Sequence, residues 1–346
     1  MISRSLFVLG FFVISCTPTT PAPRSQERTG TTPITEETQD TSDDANPKDK
    51  PDEVVQTPDT PAATNTPAPT PTVEAGSLNV QWFAGAANCG QDNNAPIQVH
   101  AYNKNLTILR QNKCTNFEAP FMYLIFGAQK ALLLDTGATQ NLPLRTTVEN
   151  LLVEHYGAAQ RAQITLIVAH THAHGDHVAG DGQFRGQAGT TVVGTGQAAV
   201  STFFGITNFP ETMADYDLGG RILKVIPIPG HEGTSLAFHD AQTGIIFTGD
   251  SLYPGRLYVQ DWATYRTSMA RLRTYAESKT ITHVLGAHVE ISKTPGQDFA
   301  FGATFQPDEH PLELKKDALI LLDTELKNIG ANPMRKVLDE FIISPN

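Results

Sequence analysis

Eight consecutive residues, His170-Thr171-His172-Ala173-His174-Gly175-Asp176-His177, constrain this 346-residue chain more than any other stretch. Five of the eight can ligate a metal ion, a density found nowhere else in the sequence. Immediately upstream, residues 164–169 (Ile-Thr-Leu-Ile-Val-Ala) are apolar and rich in β-branched side chains, which reads as a buried strand. Downstream, residues 178–182 are mostly small. The ligands therefore sit where a strand leaves a sheet, the usual place for chemistry in α/β proteins. In extended backbone His172, His174 and Asp176 point to one side, because side chains alternate with period two. His177 breaks that period, so the spacing requires a turn near Gly175. An H-x-H-x-D-H order can serve two neighbouring metals, the first two histidines one and the Asp-His pair the other. Imidazole and carboxylate without thiolate suit zinc first, then iron or manganese.

Four further short blocks lie in order around this one. Leu132-Leu133-Leu134-Asp135-Thr136-Gly137 precedes it. Pro229-Gly230-His231-Glu232-Gly233-Thr234-Ser235, Thr248-Gly249-Asp250 and Gly286-Ala287-His288 follow it. The five blocks together resemble the metallo-β-lactamase-fold superfamily of hydrolases, over roughly residues 78–290. The resemblance implies an α/β fold, a four-layer αββα sandwich with the site on one edge of its sheets. It also implies a ligand set: His172, His174 and His231 for a first metal, Asp176, His177 and His288 for a second, and Asp250 bridging the two. Zinc–nitrogen bonds of about 2.0–2.1 Å are expected in such a site. Two dications in a neutral imidazole cage need carboxylates, and Asp176 and Asp250 supply them. By the same resemblance a hydroxide shared by the metals is the nucleophile, with Asp176 also able to orient it. Asp135, otherwise a turn or cap residue, is implied to support the ligand histidines from behind.

Departures from relatives narrow the expectation. His174 stands where the electron-transferring di-iron relatives usually carry Glu, and Asp250 where antibiotic-hydrolysing relatives carry Cys or Ser. The 38 positions from Asp250 to His288 leave no room for the extra domain of the nuclease branch. The expected activity is hydrolysis of a small-molecule ester, thioester, lactone or amide. The alternatives are a β-lactam hydrolase and a metal- or ligand-binding protein that turns nothing over. The basic residues with which a glyoxalase II helical domain would bind glutathione find no match.

The chain's ends read differently. Residues 1–15 pair Arg4 with a short apolar run and read as a secretory signal. Residues 13–16 (Val-Ile-Ser-Cys) resemble a bacterial lipobox, which implies lipid on Cys16 and anchoring to the cell envelope, with Thr17 pointing to the outer membrane. An ordinary signal peptide is the alternative. Residues 17–75 hold eleven of the 23 prolines and no aromatic residue, so they lack the apolar surface to offset ordering entropy and read as a disordered tether. Four basic and eleven acidic residues give this segment −7 of the formal −11, leaving the remainder near neutral with no basic patch for nucleic acid. Residues 76–346 suffice for one catalytic domain, with 291–346 as a C-terminal extension. Export permits a disulfide between Cys89 and Cys114, worth roughly 3–4 kcal/mol in the loop-entropy model, with two free thiols as the alternative.

Coarser patterns complete the reading. Residues 121–126 and 130–134 form a hairpin, and 142–156 a helix packed on a sheet. Residues 220–228, 234–238, 244–248 and 281–285 read as strands, and 261–278 as a helix capped by Asp261. Residues 197–204 read as a short helix with Phe203 and Phe204 near a loop, either core or substrate wall. Helical patterns recur at 312–326 and 334–342. His100, His155 and His239 fall outside the ligand blocks and read as surface or core residues, and His170 as a strand-end neighbour of the ligands. Tyr253, Arg256, Tyr258 and His310 are candidate pocket residues.

Overall fold

A computed structural model describes residues 73–346; the signal, lipidation and most of the tether fall outside the described residues. In chain order the strands are β1 (Ile97–Asn103), β2 (Leu106–Gln111), β3 (Phe121–Phe126), β4 (Lys130–Leu134), β5 (Thr165–Ala169), β6 (Thr190–Val192), β7 (Ala214–Asp217), β8 (Ile222–Pro227), β9 (Leu236–Asp240), β10 (Ile245–Gly249), β11 (Arg256–Val259), β12 (His283–Gly286), β13 (Glu313–Leu314), β14 (Lys336–Val337) and β15 (Ile342–Pro345). The helices are α1 (Leu144–Tyr156), α2 (Ala158–Arg161), α3 (Gly175–Val178), α4 (Gln197–Phe204), α5 (Trp262–Glu277) and α6 (Lys316–Ile329). One six-stranded sheet runs β1-β2-β3-β4-β5-β6, a second runs β13-β12-β10-β9-β8-β7, and a three-stranded sheet runs β11-β15-β14.

Strand periodicity separates three cores. Ile108, Tyr123, Ile125, Leu132 and Leu134 of the first sheet meet Val225, Phe238, Ile245 and Phe247 of the second in one buried cluster. Their neighbours point the other way. Leu109, Leu124, Leu133 and Val168 pack on Leu144, Val148 and Leu152 of α1, while Ala237, Ile246 and Val284 pack on Met269 and Leu272 of α5 and Leu319 and Leu322 of α6. A sheet buried on both faces reads as a near-continuous apolar run, as β2, β3, β9 and β10 do. The layering is αββα.

A buried ion pair, a disulfide and a helix cap add to these cores. The Arg221 guanidinium donates to Asp240 from Nε (3.2 Å) and Nη2 (2.6 Å), and its Nη1 donates to the carbonyls of Asn105 and Phe126, so one side chain ties both sheets. Cys89 and Cys114 are disulfide-bonded, with Cα atoms 5.1 Å apart. The Asp261 side chain accepts from the Thr264 N–H at 3.0 Å, the helix cap read from sequence.

One expectation is corrected and one open choice is narrowed. Residues 334–342 are not helical: β15 pairs parallel with β11 and antiparallel with β14, and the Leu338 N–H donates to the Phe341 carbonyl across a tight turn. Spacing that looked helical there serves strands that bury Phe341, Ile342 and Ile343. Of the two readings left open for Phe203 and Phe204, the structure supports the core one. Phe204 is buried in the inter-sheet core against Phe238, and Phe203 packs on that cluster.

Candidate metal centre

Each ligand block follows a strand end. The turn after β5 carries His172 and His174 and enters the short α3, which is why His177 leaves the period-two pattern. His231 follows β8, Asp250 follows β10 and His288 follows β12. The first sheet thus contributes four candidate ligands and the second sheet three.

The side chains meet as two groups, His172, His174 and His231, and Asp176, His177, Asp250 and His288. In the first, His172 Nε2 lies 3.0 Å from His174 Nδ1, and His231 Nε2 lies 3.2 Å and 3.1 Å from the same two atoms. In the second, Asp176 Oδ2 lies 3.2 Å from both His177 Nε2 and His288 Nε2. Tetrahedral ligands on bonds of about 2.0–2.1 Å would stand about 3.3 Å apart, so both groups have the spacing of a chelating set. Asp250 faces both ways. Its Oδ2 lies 3.9 Å and 3.7 Å from His172 and His231, its Oδ1 3.4 Å from each of His177 and His288. Asp250 Oδ1 is buried with no hydrogen-bond partner, a costly state for a carboxylate that a cation would relieve.

The protein groups behind the rings fix which nitrogen faces inward. His231 Nδ1–H donates to the Tyr258 carbonyl at 2.7 Å and His288 Nδ1–H to the Glu118 carbonyl at 2.9 Å. His177 Nδ1 lies 3.0 Å from Asp135 Oδ2. Asp135 also accepts from the Thr171 backbone N–H and hydroxyl, both at 2.8 Å, so it braces the ligand turn as the resemblance implied. Outward hydrogen bonds of this kind select the tautomer and raise ligand basicity. His170 contacts Asp181 at 2.8 Å and is not part of either group.

Electrostatics divide the groups. Burial keeps the His172 and His231 rings neutral, lowering both from the usual histidine range. Burial also opposes charge on His177 and His288, yet Asp250 and Asp176 outweigh it, raising His177 well above its usual range and His288 to about 9. Burial would raise the Asp250 and Asp176 carboxyls, but the adjoining His288 and His177 cations hold both well below the carboxylate range. His172 and His231 are thus neutral donors, whereas the second group is a sink for positive charge. Both properties fit divalent cations.

A cavity of about 240 Å³ opens onto these side chains. Tyr253 and Tyr258 line it as expected, and so do Glu118, Gln260 and Phe301, none of which had a signal in the sequence. Gln260 Nε2 lies 3.1 Å from His174 Nε2. Arg256 stands behind the wall, engaged by Glu290 and Asp298. His310 lines a different cavity, and its Nδ1–H donates to the Pro311 carbonyl. His239 is buried against the Tyr275 hydroxyl, while His155 stacks on Phe126 and His100 contacts the Ser77 carbonyl.

Over 212 residues the chain is 28% identical to acyl-coenzyme A thioesterase MBLAC2 of Homo sapiens, spanning 53% of this chain and 74% of that one. Over 144 residues it is 37% identical to hydroxyacylglutathione hydrolase of Cereibacter sphaeroides, spanning 40% of this chain and only 52% of that protein. A solved metallo-beta-lactamase from Pontibacter korlensis superposes with a TM-score of 0.46 at 18% identity, over 67% of this chain and 99% of that one. Residues 115–288 match the profile of the Metallo-beta-lactamase superfamily. That match takes in every candidate ligand from His172 to His288 over half of the chain, and this protein belongs to the metallo-beta-lactamase superfamily of hydrolases.

Proposed function

We propose that the protein is a dinuclear metal-dependent hydrolase of a small acyl substrate, an ester, thioester, lactone or amide, working in the cell envelope. The observation that carries this reading is Asp250, one buried carboxylate that faces the His172, His174 and His231 trio with one oxygen and His177 and His288 with the other. Each cluster would hold one divalent ion, zinc before iron or manganese on the chemistry of the donors. When bound, the ions supply Lewis acidity and an activated water near neutral pH. Asp176, whose side chain is 22% exposed against 10% for Asp250, faces the cavity and would orient that water through its free carboxylate oxygen. Tyr258 and Gln260 flank the first cluster, placed to contact the bound acyl group. The named relatives act on thioesters of coenzyme A and glutathione, and this supports acyl chemistry without fixing the acceptor.

The envelope location rests on the N-terminal signal pattern, on Cys16 as the lipid-bearing residue and on residues 17–75 as a spacer ahead of a catalytic domain over 76–346. A disulfide is at home outside the cytoplasm. Purified protein, stripped and reconstituted, should bind close to two ions per chain. It should hydrolyse at least one member of a panel of aryl esters, thioesters and lactones, losing that activity with chelator and regaining it with metal. Reconstituted protein that binds no ion would overturn the reading.

A further inference from the structure

Between β2 and β3 the chain makes an excursion, residues 112–120, that leaves the first sheet and reaches a ligand carried by the second. At its far end the Glu118 carbonyl accepts from His288 Nδ1–H, and three residues further along the Phe121 N–H donates to the Ala287 carbonyl at 2.7 Å. Between them Ala119 has φ 42°, a left-handed conformation that a residue with a Cβ rarely adopts. Backbone held in such a region persists only where its surroundings impose it.

Within the excursion the Ala119 N–H donates to the Asn116 carbonyl at 3.1 Å and the Glu118 N–H to Asn116 Oδ1 at 3.0 Å, and the Asn116 N–H donates to the Asn112 carbonyl at 3.2 Å, which ties this turn to the base. The Asn112 side chain donates to Asp92 at 2.6 Å and to the Ala95 carbonyl at 3.2 Å, and accepts from the Cys114 N–H at 2.8 Å. Cys114 is bonded to Cys89. The Cys89 segment is itself anchored, because the Thr304 hydroxyl donates to the Ala86 carbonyl at 2.9 Å and the Gln306 N–H to the Ala84 carbonyl at 2.8 Å. Three residues lie between Cys114 and Glu118, too few to absorb movement of the base without moving the carbonyl.

We propose that the Cys89–Cys114 bridge is a positioning device for the second metal cluster, holding the excursion in the shape from which the Glu118 carbonyl orients His288. This rests on the reading that the cluster holds a metal. An imidazole freed from its outward partner can turn about its own axis and carry Nε2 away from Asp176 and Asp250. The first cluster has different supports: His231 is oriented by Tyr258 and His172 neighbours Thr171. Loss of the bridge should therefore act on one cluster and spare the other, which a general loss of stability would not do.

The test is competition between the full protein and a chromophoric chelator for zinc, titrated through both equivalents, in the parent and in a Cys89→Ala/Cys114→Ala double variant. The first equivalent should bind as in the parent, and the second should weaken by about 10–100-fold, the usual effect of removing a ligand's outer support. His288→Ala in the bridged protein marks the pattern of selective second-site loss. Should the double variant not fold, reduction of the folded parent with a phosphine gives the same comparison. Equal weakening of both equivalents, or of neither, overturns the inference while leaving two-metal binding intact. A parent that binds no zinc overturns the functional reading first.

Discussion

Asp135 Oδ2 lies 3.0 Å from His177 Nδ1, both side chains fully buried, joining the end of β4 to the turn after β5. The contact is available because Asp135 adopts φ 66°, which swings its carboxylate back under the ligand turn. Asn tolerates that conformation and keeps a hydrogen-bonding oxygen while removing the charge. Asp135→Asn should weaken metal binding about 10–100-fold, measured by chelator competition. Unchanged affinity would reduce Asp135 to a turn residue.

Asp250→Ala removes the carboxylate that, among the described residues, faces both clusters. Bound metal per chain should fall below the parent's, and hydrolysis should drop by on the order of 10²–10³ or more, as several kcal/mol of charge stabilisation is lost. Elemental analysis and initial rates on one ester are sufficient measurements. A variant that keeps both ions and full activity would remove Asp250 from the centre.

Arg221 should matter to stability and not to the site. It and Asp240 are both buried, and removing one partner of a buried pair leaves the other uncompensated. Arg221→Ala should cost about 3–5 kcal/mol in urea unfolding, with the metal content of the folded fraction unchanged.

His239 gives the fold a pH dependence of known sign. Burial pushes its ring down to about 4, against about 6.5 in an unfolded chain. Between those values the unfolded chain binds more protons, so stability is full above about 6.5 and falls as the pH drops towards 4. The whole shift corresponds to on the order of 3 kcal/mol. His239→Phe should flatten the acid limb of a urea midpoint-versus-pH curve relative to the parent. Parallel curves would rule the ring out as a contributor.

The ligand blocks were readable because chemistry and periodicity coincide at strand ends: His172 and His174 follow an apolar β-branched run, and the positions of His231, Asp250 and His288 follow similar runs. Glu118, Gln260 and Phe301 were not readable, since their place at the cavity comes from loops brought together by packing of distant elements. The same holds for residues 334–342, where Leu338, Phe341 and Ile342 are spaced for a helix face but β11 supplies a strand edge to pair with. Arg256 and His310 show the converse, polar residues suited to a pocket that tertiary contacts consume or place elsewhere.

Because His172, His174, Asp176 and His177 come from one half of the sandwich and His231, Asp250 and His288 from the other, neither half carries a complete chelating set. Assembly therefore has an order. The first trio closes only after the chain beyond β8 has docked, and the second cluster waits for β12, more than a hundred residues after the first ligands emerge. An ion arriving early meets two ligands of each set, His172 with His174 and Asp176 with His177, so tight loading reports that both halves have come together. Separately expressed halves, cut in the connection between β6 and β7, would make metal retention a direct gauge of their reunion.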